Sequence, residues 1–209
     1  MTIDIQLSKS DRTSNAILDS AYRLISSQGY AATSMRQIAE GAGLALGGIY
    51  NHFSSKEEIF EAILQKRHPF FLIMPLLKET RGDTIDEFIR TAARSLVAEL
   101  SKHPEFLNLM LTELVEFKGR HAPLLFEKIY PDLMLVARHL EIFQNDLRPI
   151  PSPLLMRAFV GMFFSYFITD ILLKNLMLPE LQANALDVFV EVFLNGIKQP
   201  VAQQSFLKP

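Results

Sequence analysis

The sequence predicts an all-α protein, and three observations predict it. Apolar residues recur at helical spacing along nearly the whole chain. No stretch alternates apolar and polar residues between Asn-Gly or Asp-Gly turns. Pro104, Pro123, Pro153 and Pro179 each stand where a helix can begin. The first helix starts near Asp11 to Thr13, carries Ile17, Leu18, Ala21, Leu24 and Ile25 on one face, and ends at Gly29, which can take the left-handed conformation. A short segment from Thr33 to about Gly41 follows; Thr33 or Ser34 can cap it, and Gln37 stands at capping-box spacing from Ser34. Ala42-Gly43-Leu44 makes a break before a second short segment, Ala45 to Phe53. Ser55 and Glu58 repeat the capping-box spacing and open a longer helix through Ile59, Phe60, Ile63 and Leu64 to about His68-Pro69. Beyond it, helices are expected at roughly 83–101, 104–117, 122–145 with a break or kink at Pro131, 153–177 and 180–197, with the last dozen residues frayed.

This punctuation divides the chain into a compact set of short helices at 1–54, a connecting helix at 55–69 and a bundle of long helices at 70–209. At 209 residues, 49% hydrophobic and 21% charged, the chain is an ordinary packed globule of one domain, or of a small domain fused to a larger one. The absence of cysteine excludes a disulfide framework, a thiolate metal site and a cysteine nucleophile. A net charge of −2 gives no global pull toward nucleic acid or anionic lipid, so any such binding must be local. The N-terminus lacks the pattern of a signal peptide. The longest strongly apolar charge-free run, Ala158 to Thr169, has 12 residues, short of the roughly 20 that span a bilayer. A soluble, cytoplasmic protein is expected.

Two short helices joined by a Gly-containing turn and braced by a longer amphipathic helix are what a helix-turn-helix looks like in sequence. Here that segment is 33–53. The second helix of such a unit enters the major groove, so its exposed residues must be small or able to hydrogen-bond, with the backbone close to phosphate. Gly47-Gly48 fits this need, since each Gly inside a helix costs roughly 1 kcal/mol relative to Ala and asks for a reason.

Ala32-Thr33-Ser34, Ile38-Ala39, Ala42-Gly43-Leu44, Gly47, Ile49-Tyr50, His52-Phe53 and Ser55-Lys56-Glu57-Glu58-Ile59-Phe60 stand in one register. In that register the chain resembles the DNA-binding region of the TetR family of bacterial transcriptional regulators over about residues 12–64. The resemblance implies that Thr33 or Ser34, Tyr50, His52 and Lys56 touch phosphates, that Ala45 to Asn51 is the recognition helix with Gly48 facing the bases, and that Gln37 reaches a base edge or phosphate. Ala45 stands where the family commonly has a hydroxyl residue and Leu46 where it has a basic or polar one; Leu46 can instead pack on a thymine methyl. Up to His68 there are seven Lys plus Arg and seven Asp plus Glu, so binding depends on few phosphate contacts per module and on pairing two modules. Arg12, Arg36 and Lys56 are the candidates for a local basic face.

The C-terminal part holds 14 of the 16 Phe and most of the Met, an adaptable apolar lining in which a kink at Pro131 can open a cavity. Candidate effector-binding residues are Phe88, Met110, Glu113, Phe117, Tyr130, Met134 and Tyr166, with Glu116, Arg120 and Arg138 as further polar groups. The helices at about 153–177 and 180–197 are apolar almost all round in places, more than one bundle face can bury. A homodimer interface, which the resemblance also implies, buries the excess; the alternative is a purely internal core helix. The five His residues show no H-E-x-x-H spacing, and no P-loop or G-x-S-x-G string occurs, so neither an enzyme nor a metal or cofactor is expected. The expectation is thus a sequence-specific DNA-binding regulator, a repressor released from double-stranded operator DNA by a small, largely apolar effector. The competing reading is a helical interaction or membrane-surface protein without sequence-specific DNA binding.

Overall fold

A computed structural model describes residues 8–173, 175–176 and 178–199, all of whose regular elements are helical. The expected fraying of the chain end falls largely on residues 200–209, outside the described residues. The contacts gather into two compact units. One holds the chain up to Phe71 together with His103–Ile129; the other holds Leu72–Lys102 and the chain from Tyr130 onward. Residues 103–129 thus pack with the N-terminal helices, although the sequence places them in the C-terminal bundle.

In the first unit, α1 (Lys9–Gln28) begins two residues before the expected start at Asp11, capped by Ser8, whose side chain accepts from the Asp11 amide. It buries Ile17, Leu18, Ala21 and Ile25 and closes at Gly29 with φ 85°, while Leu24 stays half-buried. The helix α2 (Met35–Gly41) opens with the full capping box: Ser34 Oγ accepts from the Gln37 amide, and Gln37 Oε1 accepts from the Ser34 amide at 2.8 Å. Gly43, at φ 71°, turns the chain into α3 (Leu46–Ile49). That helix is one turn, shorter than the expected Ala45 to Phe53. Ala45 has no side-chain oxygen to cap it, and the Gly47-Gly48 pair holds a helix poorly; the chain continues as turns through His52. The helix α4 (Lys56–Arg67) is capped by Ser55, but the Glu58 carboxylate reaches back to the amide and hydroxyl of Ser54 and not to Ser55. Those two hydrogen bonds draw the Glu58 pKa below the usual carboxylate value.

Sequence reading left 70–79 without an element, yet α5 (Phe70–Glu79) is helical with Pro75 inside it. Burial of Ile73, Met74 and Leu77 outweighs the hydrogen bond that Pro75 cannot donate. Then come α6 (Ile85–Ser101), α7 (Phe106–Val115) and α8 (Ala122–Leu140), the last of which runs through Pro131 without a break and ends in a short 3-10 turn, Glu141–Phe143. α9 (Ser152–Leu173) stops short of the expected 177, and the expected helix 180–197 is divided at Asn184 into α10 (Pro179–Ala183) and α11 (Ala185–Ile197).

The first unit is built on one apolar core, to which α1 gives Ile17, Leu18, Ala21 and Ile25, α2 Ile38 and Ala39, α3 Ile49, α4 Ile59, Phe60 and Ile63, and α7 Leu109. In the second unit, α6, α9 and α11 pack on one another through Ile89, Ala92 and Leu96, Phe159 and Phe163, and Val190, Phe193 and Leu194. Arg94–Asp187 at 2.9 Å, Arg90–Glu191 and Lys198–Asp86 join α6 to α11 at the surface, where such pairs add little stability. Although the charge-free run is only 12 residues, α9 is long and apolar enough to cross a membrane by length and composition. Six of its residues are nonetheless buried in the second unit: Leu155, Met156, Phe159, Phe163, Tyr166 and Phe167.

Candidate nucleic-acid interface

The one-turn α3 is held from beneath by two anchors, Ile49 at 0% and Phe53 at 7% exposure. Their burial fixes which side of the segment faces outward. Ala45, Leu46, Gly47, Tyr50 and Asn51 are exposed, with Leu46 at 44% and Tyr50 at 51%, while Gly48 and His52 are half-buried. Two large apolar or aromatic side chains standing in water, one on a four-residue helix and one at its C-cap, are a surface waiting for a partner.

The glycine pair sharpens this. Neither Gly47 nor Gly48 has positive φ, and a Cβ added at Gly47 would meet nothing within 4 Å, one at Gly48 only Leu44 at 3.8 Å. Nothing among the described residues therefore requires glycine at either position, and the bare backbone is available to an outside surface. The double variant G47A/G48A is accordingly expected to leave the fold intact and to raise its stability by about 1 kcal/mol or more, from helix propensity. Its affinity for an operator duplex should fall at least about tenfold, because two methyl groups stand between backbone and DNA. Denaturant unfolding read beside fluorescence anisotropy checks both halves; retained DNA affinity would overturn the role.

Next to α3, Gln37 is exposed on α2, and its Oε1 is held by the Ser34 amide and hydroxyl at 2.8 Å each, which aims the side chain and leaves its amide nitrogen free to donate. Ser34 itself is exposed. Arg12 and Arg36 are also exposed, and neither enters an ion pair among the described residues.

Two expected phosphate contacts are turned inward. Thr33 is 2% exposed; its hydroxyl donates to the Gly29 carbonyl at 2.8 Å and accepts from Gln28, so of the pair Thr33 or Ser34 only Ser34 faces outward. Lys56 is half-buried, and its ammonium donates to the carbonyls of Tyr30 and Thr33 at 2.6 Å each and lies 4.1 Å from the centre of the Tyr30 ring. Burial draws its pKa below the ordinary lysine value. Lys56 thereby ties the start of α4 to the loop that leads into Ser34 and α2, a positioning role beside any contact with DNA. A sequence signal for it was absent, because its partners are carbonyls 23 and 26 residues away.

A second network braces the same region. His121 is buried with Glu113, its Nδ1 at 2.8 Å from Glu113 Oε2 and its backbone amide donating to Oε1 at 2.7 Å, while Glu57 of α4 stands 3.5 Å from its other ring nitrogen and 3.1 Å from Arg120. Glu113, Phe117 and Arg120, expected beside an effector, thus serve the core and surface of the first unit; Phe117 stacks on Phe60 with ring centres 4.9 Å apart.

The expected effector residues are divided between the two units. Met110, Glu113 and Phe117 belong to the first unit, whereas Phe88, Tyr130, Met134 and Tyr166 belong to the second. Within the second unit, an apolar seam bordered by Phe88, Val136, Leu155, Phe159 and Phe193 leaves a cavity of only about 10 Å³, room for about one water. Tyr166 is buried edge-on against Phe189, and Tyr130 is 44% exposed.

Comparison with known proteins matches residues 17–63 to the family model described as bacterial regulatory proteins, tetR family. Over 190 residues the chain is 23% identical to YvkB of Bacillus subtilis, named an uncharacterised HTH-type transcriptional regulator, covering 88% of this chain and 97% of that one. It is 41% identical over 49 residues to the HTH-type transcriptional repressor KstR2 of Mycobacterium tuberculosis, a match confined to 23% of this chain and 24% of that one. The solved structure of the fatty acid degradation regulator FadR from Bacillus halodurans shares the fold at a TM-score of 0.69 and 17% identity, covering 90% of this chain and 96% of that one.

Proposed function

Because residues 17–63 place this chain in the tetR family of bacterial regulatory proteins, we propose that its exposed α3 surface reads an operator, as the working end of a DNA-binding transcriptional repressor. The observation that carries the reading is the outward set Leu46, Gly47 and Tyr50, held by buried Ile49 and Phe53, with Gln37 aimed beside it by the Ser34 capping box. Ser34, Tyr50 and His52 serve phosphates and fix the register; Gln37 and the Ala45-to-Gly48 strip face the base edges, with Leu46 supplying apolar contact to a thymine methyl.

The repressor works as a homodimer through α9 and α11, whose exposed Leu154, Leu172, Val188 and Val192 (56%, 64%, 56% and 56% exposed) have no cover within the protomer. A small, largely apolar effector enters the second unit and releases the operator. With only about 10 Å³ free in the seam, that entry requires Met156, Phe88 and their neighbours to move apart, which makes the unliganded and liganded states structurally distinct. A coupling of about 1–3 kcal/mol between the sites changes operator occupancy roughly 5–150-fold. The place of action is the cytoplasm, where the DNA is.

The test is fluorescence anisotropy against duplexes tiled upstream of the protein's own gene, at two salt concentrations with a scrambled control. Tight, salt-dependent binding to one pseudo-palindromic tile is expected. Tyr50→Ala should keep the fold, since Tyr50 is 51% exposed, and lower affinity about tenfold across operators alike. Equal weak binding to every duplex, together with binding to anionic vesicles at low salt, would favour the membrane-surface reading.

A further inference from the structure

On the first unit an open groove of about 540 Å³ lies between the end of α1, the loop Gly29–Ala32 and one side of α7. Its size is that of a small-molecule site, whereas the seam of the second unit holds about 10 Å³. Its lining combines three kinds of surface. Leu111 and Val115 of α7, 48% and 70% exposed, give an apolar wall. Ser26 and Asn108 also line it: the Ser26 hydroxyl is buried with no hydrogen-bond partner among the described residues, and the Asn108 side-chain amide donates to the Ser26 carbonyl at 2.8 Å. Glu116 supplies the one charge among the lining residues, an exposed carboxylate that makes no close ion pair among the described residues, although its charge is felt by Lys56 and Tyr30.

We propose that this groove is a ligand site of the first unit itself, taking a cationic amphiphile: a protonated amine directed at Glu116, with an alkyl or aryl body on Leu111 and Val115. The charge complementarity sets the sign of the head group, and the exposed apolar wall sets the character of the tail. An anionic or purely apolar molecule of the same size leaves the carboxylate facing either a like charge or hydrocarbon.

The position gives the site a consequence, which rests on the DNA-binding reading. The groove's loop is the one that Lys56 holds through the carbonyls of Tyr30 and Thr33, directly before the Ser34 cap of α2. Tyr30 also lines the groove and is the residue over whose ring the Lys56 ammonium lies. A cation there competes with Lys56 for Tyr30 and shifts the loop that presents Gln37 and α3, so occupancy changes operator affinity.

The experiment titrates the full-length protein, without DNA, with n-decylammonium, decanoate and decan-1-ol by isothermal titration calorimetry. Binding of decylammonium with decanoate silent is expected, and Glu116→Gln should weaken the amine about tenfold while leaving thermal stability unchanged. A Val115→Glu variant, which places a charge on the exposed wall, should lose the preference for a decyl over an ethyl chain. Absence of amine binding at millimolar concentration, or equal affinity in wild type and Glu116→Gln, overturns the site. Operator affinity is then measured with and without the amine. Because the calorimetry contains no DNA, a failure of the groove and a failure of the DNA-binding reading are seen separately.

Discussion

Replacing Phe60 by Ala is expected to destabilise the first unit by about 3–5 kcal/mol, a large share of the roughly 5–15 kcal/mol that holds a domain folded. Phe60 is fully buried, stacks on Phe117 at 4.9 Å between ring centres, and meets Tyr30 edge-on at 5.5 Å and His121 at 6.1 Å. Its ring is the common neighbour of α4, of the loop after α1 and of the turn between α7 and α8. Removing it opens a cavity beneath three segments that cannot all collapse at once. Denaturant unfolding followed by circular dichroism should show a lowered midpoint, and DNA binding should fail in step with folding. Phe60→Leu, which keeps most of the volume, should recover more than half of the loss. If Phe60→Ala unfolds like the wild type, the aromatic cluster is not the centre of this unit.

Acidification is expected to destabilise the same unit through His68, which lies 5% exposed at the end of α4, stacked on Phe70 and edge-on to Phe106. Burial pushes its pKa down to about 3, against about 6.5 for an unfolded histidine. The folded state therefore prefers the neutral ring, and the unfolded state takes up the proton first. The stabilisation is complete above pH 6.5 and is lost as pH falls below it, by about 2 kcal/mol at pH 5 and toward about 5 kcal/mol near pH 3. Carboxylates contribute to acid unfolding as well, so the informative quantity is a difference. His68→Phe should shrink the stability gap between pH 7.5 and pH 5 by about 2 kcal/mol relative to wild type. An unchanged gap would mean that His68 is protonated in the folded protein.

The parts of this protein that were legible in the sequence are those fixed by near neighbours. The Ser34–Gln37 capping box, the positive φ at Gly29 and Gly43, and the Ser55 cap of α4 each join or constrain residues no more than three apart, so the pattern of residue types specifies them directly. The break at Ala42-Gly43-Leu44 between two short helices is local in the same way, whereas the burial of Ile49 and Phe53 that turns Leu46 and Tyr50 outward is seen in the structure.

What only the tertiary structure decided depends on residues far apart along the chain. Whether Lys56 faces DNA or the protein is settled by carbonyls 23 and 26 positions earlier, and Thr33 turns inward because it can donate to Gly29 within the packed loop. Pro75 argues locally against a helix, yet α5 forms because Ile73, Met74 and Leu77 are buried. The helix α7 reads as part of the C-terminal bundle, but Leu109 belongs to the core of the first unit, Asn108 donates to Ser26, and the Tyr22 hydroxyl donates to Glu105 at 2.8 Å just before the helix begins. With that placement Met110, Glu113 and Phe117 belong to the first unit, and α7 forms one side of the groove beside α1. Periodicity reports that a helix has an apolar face; the partner that covers it is chosen by long-range packing, in which hydrophobic burial is non-directional and many pairings satisfy the same pattern.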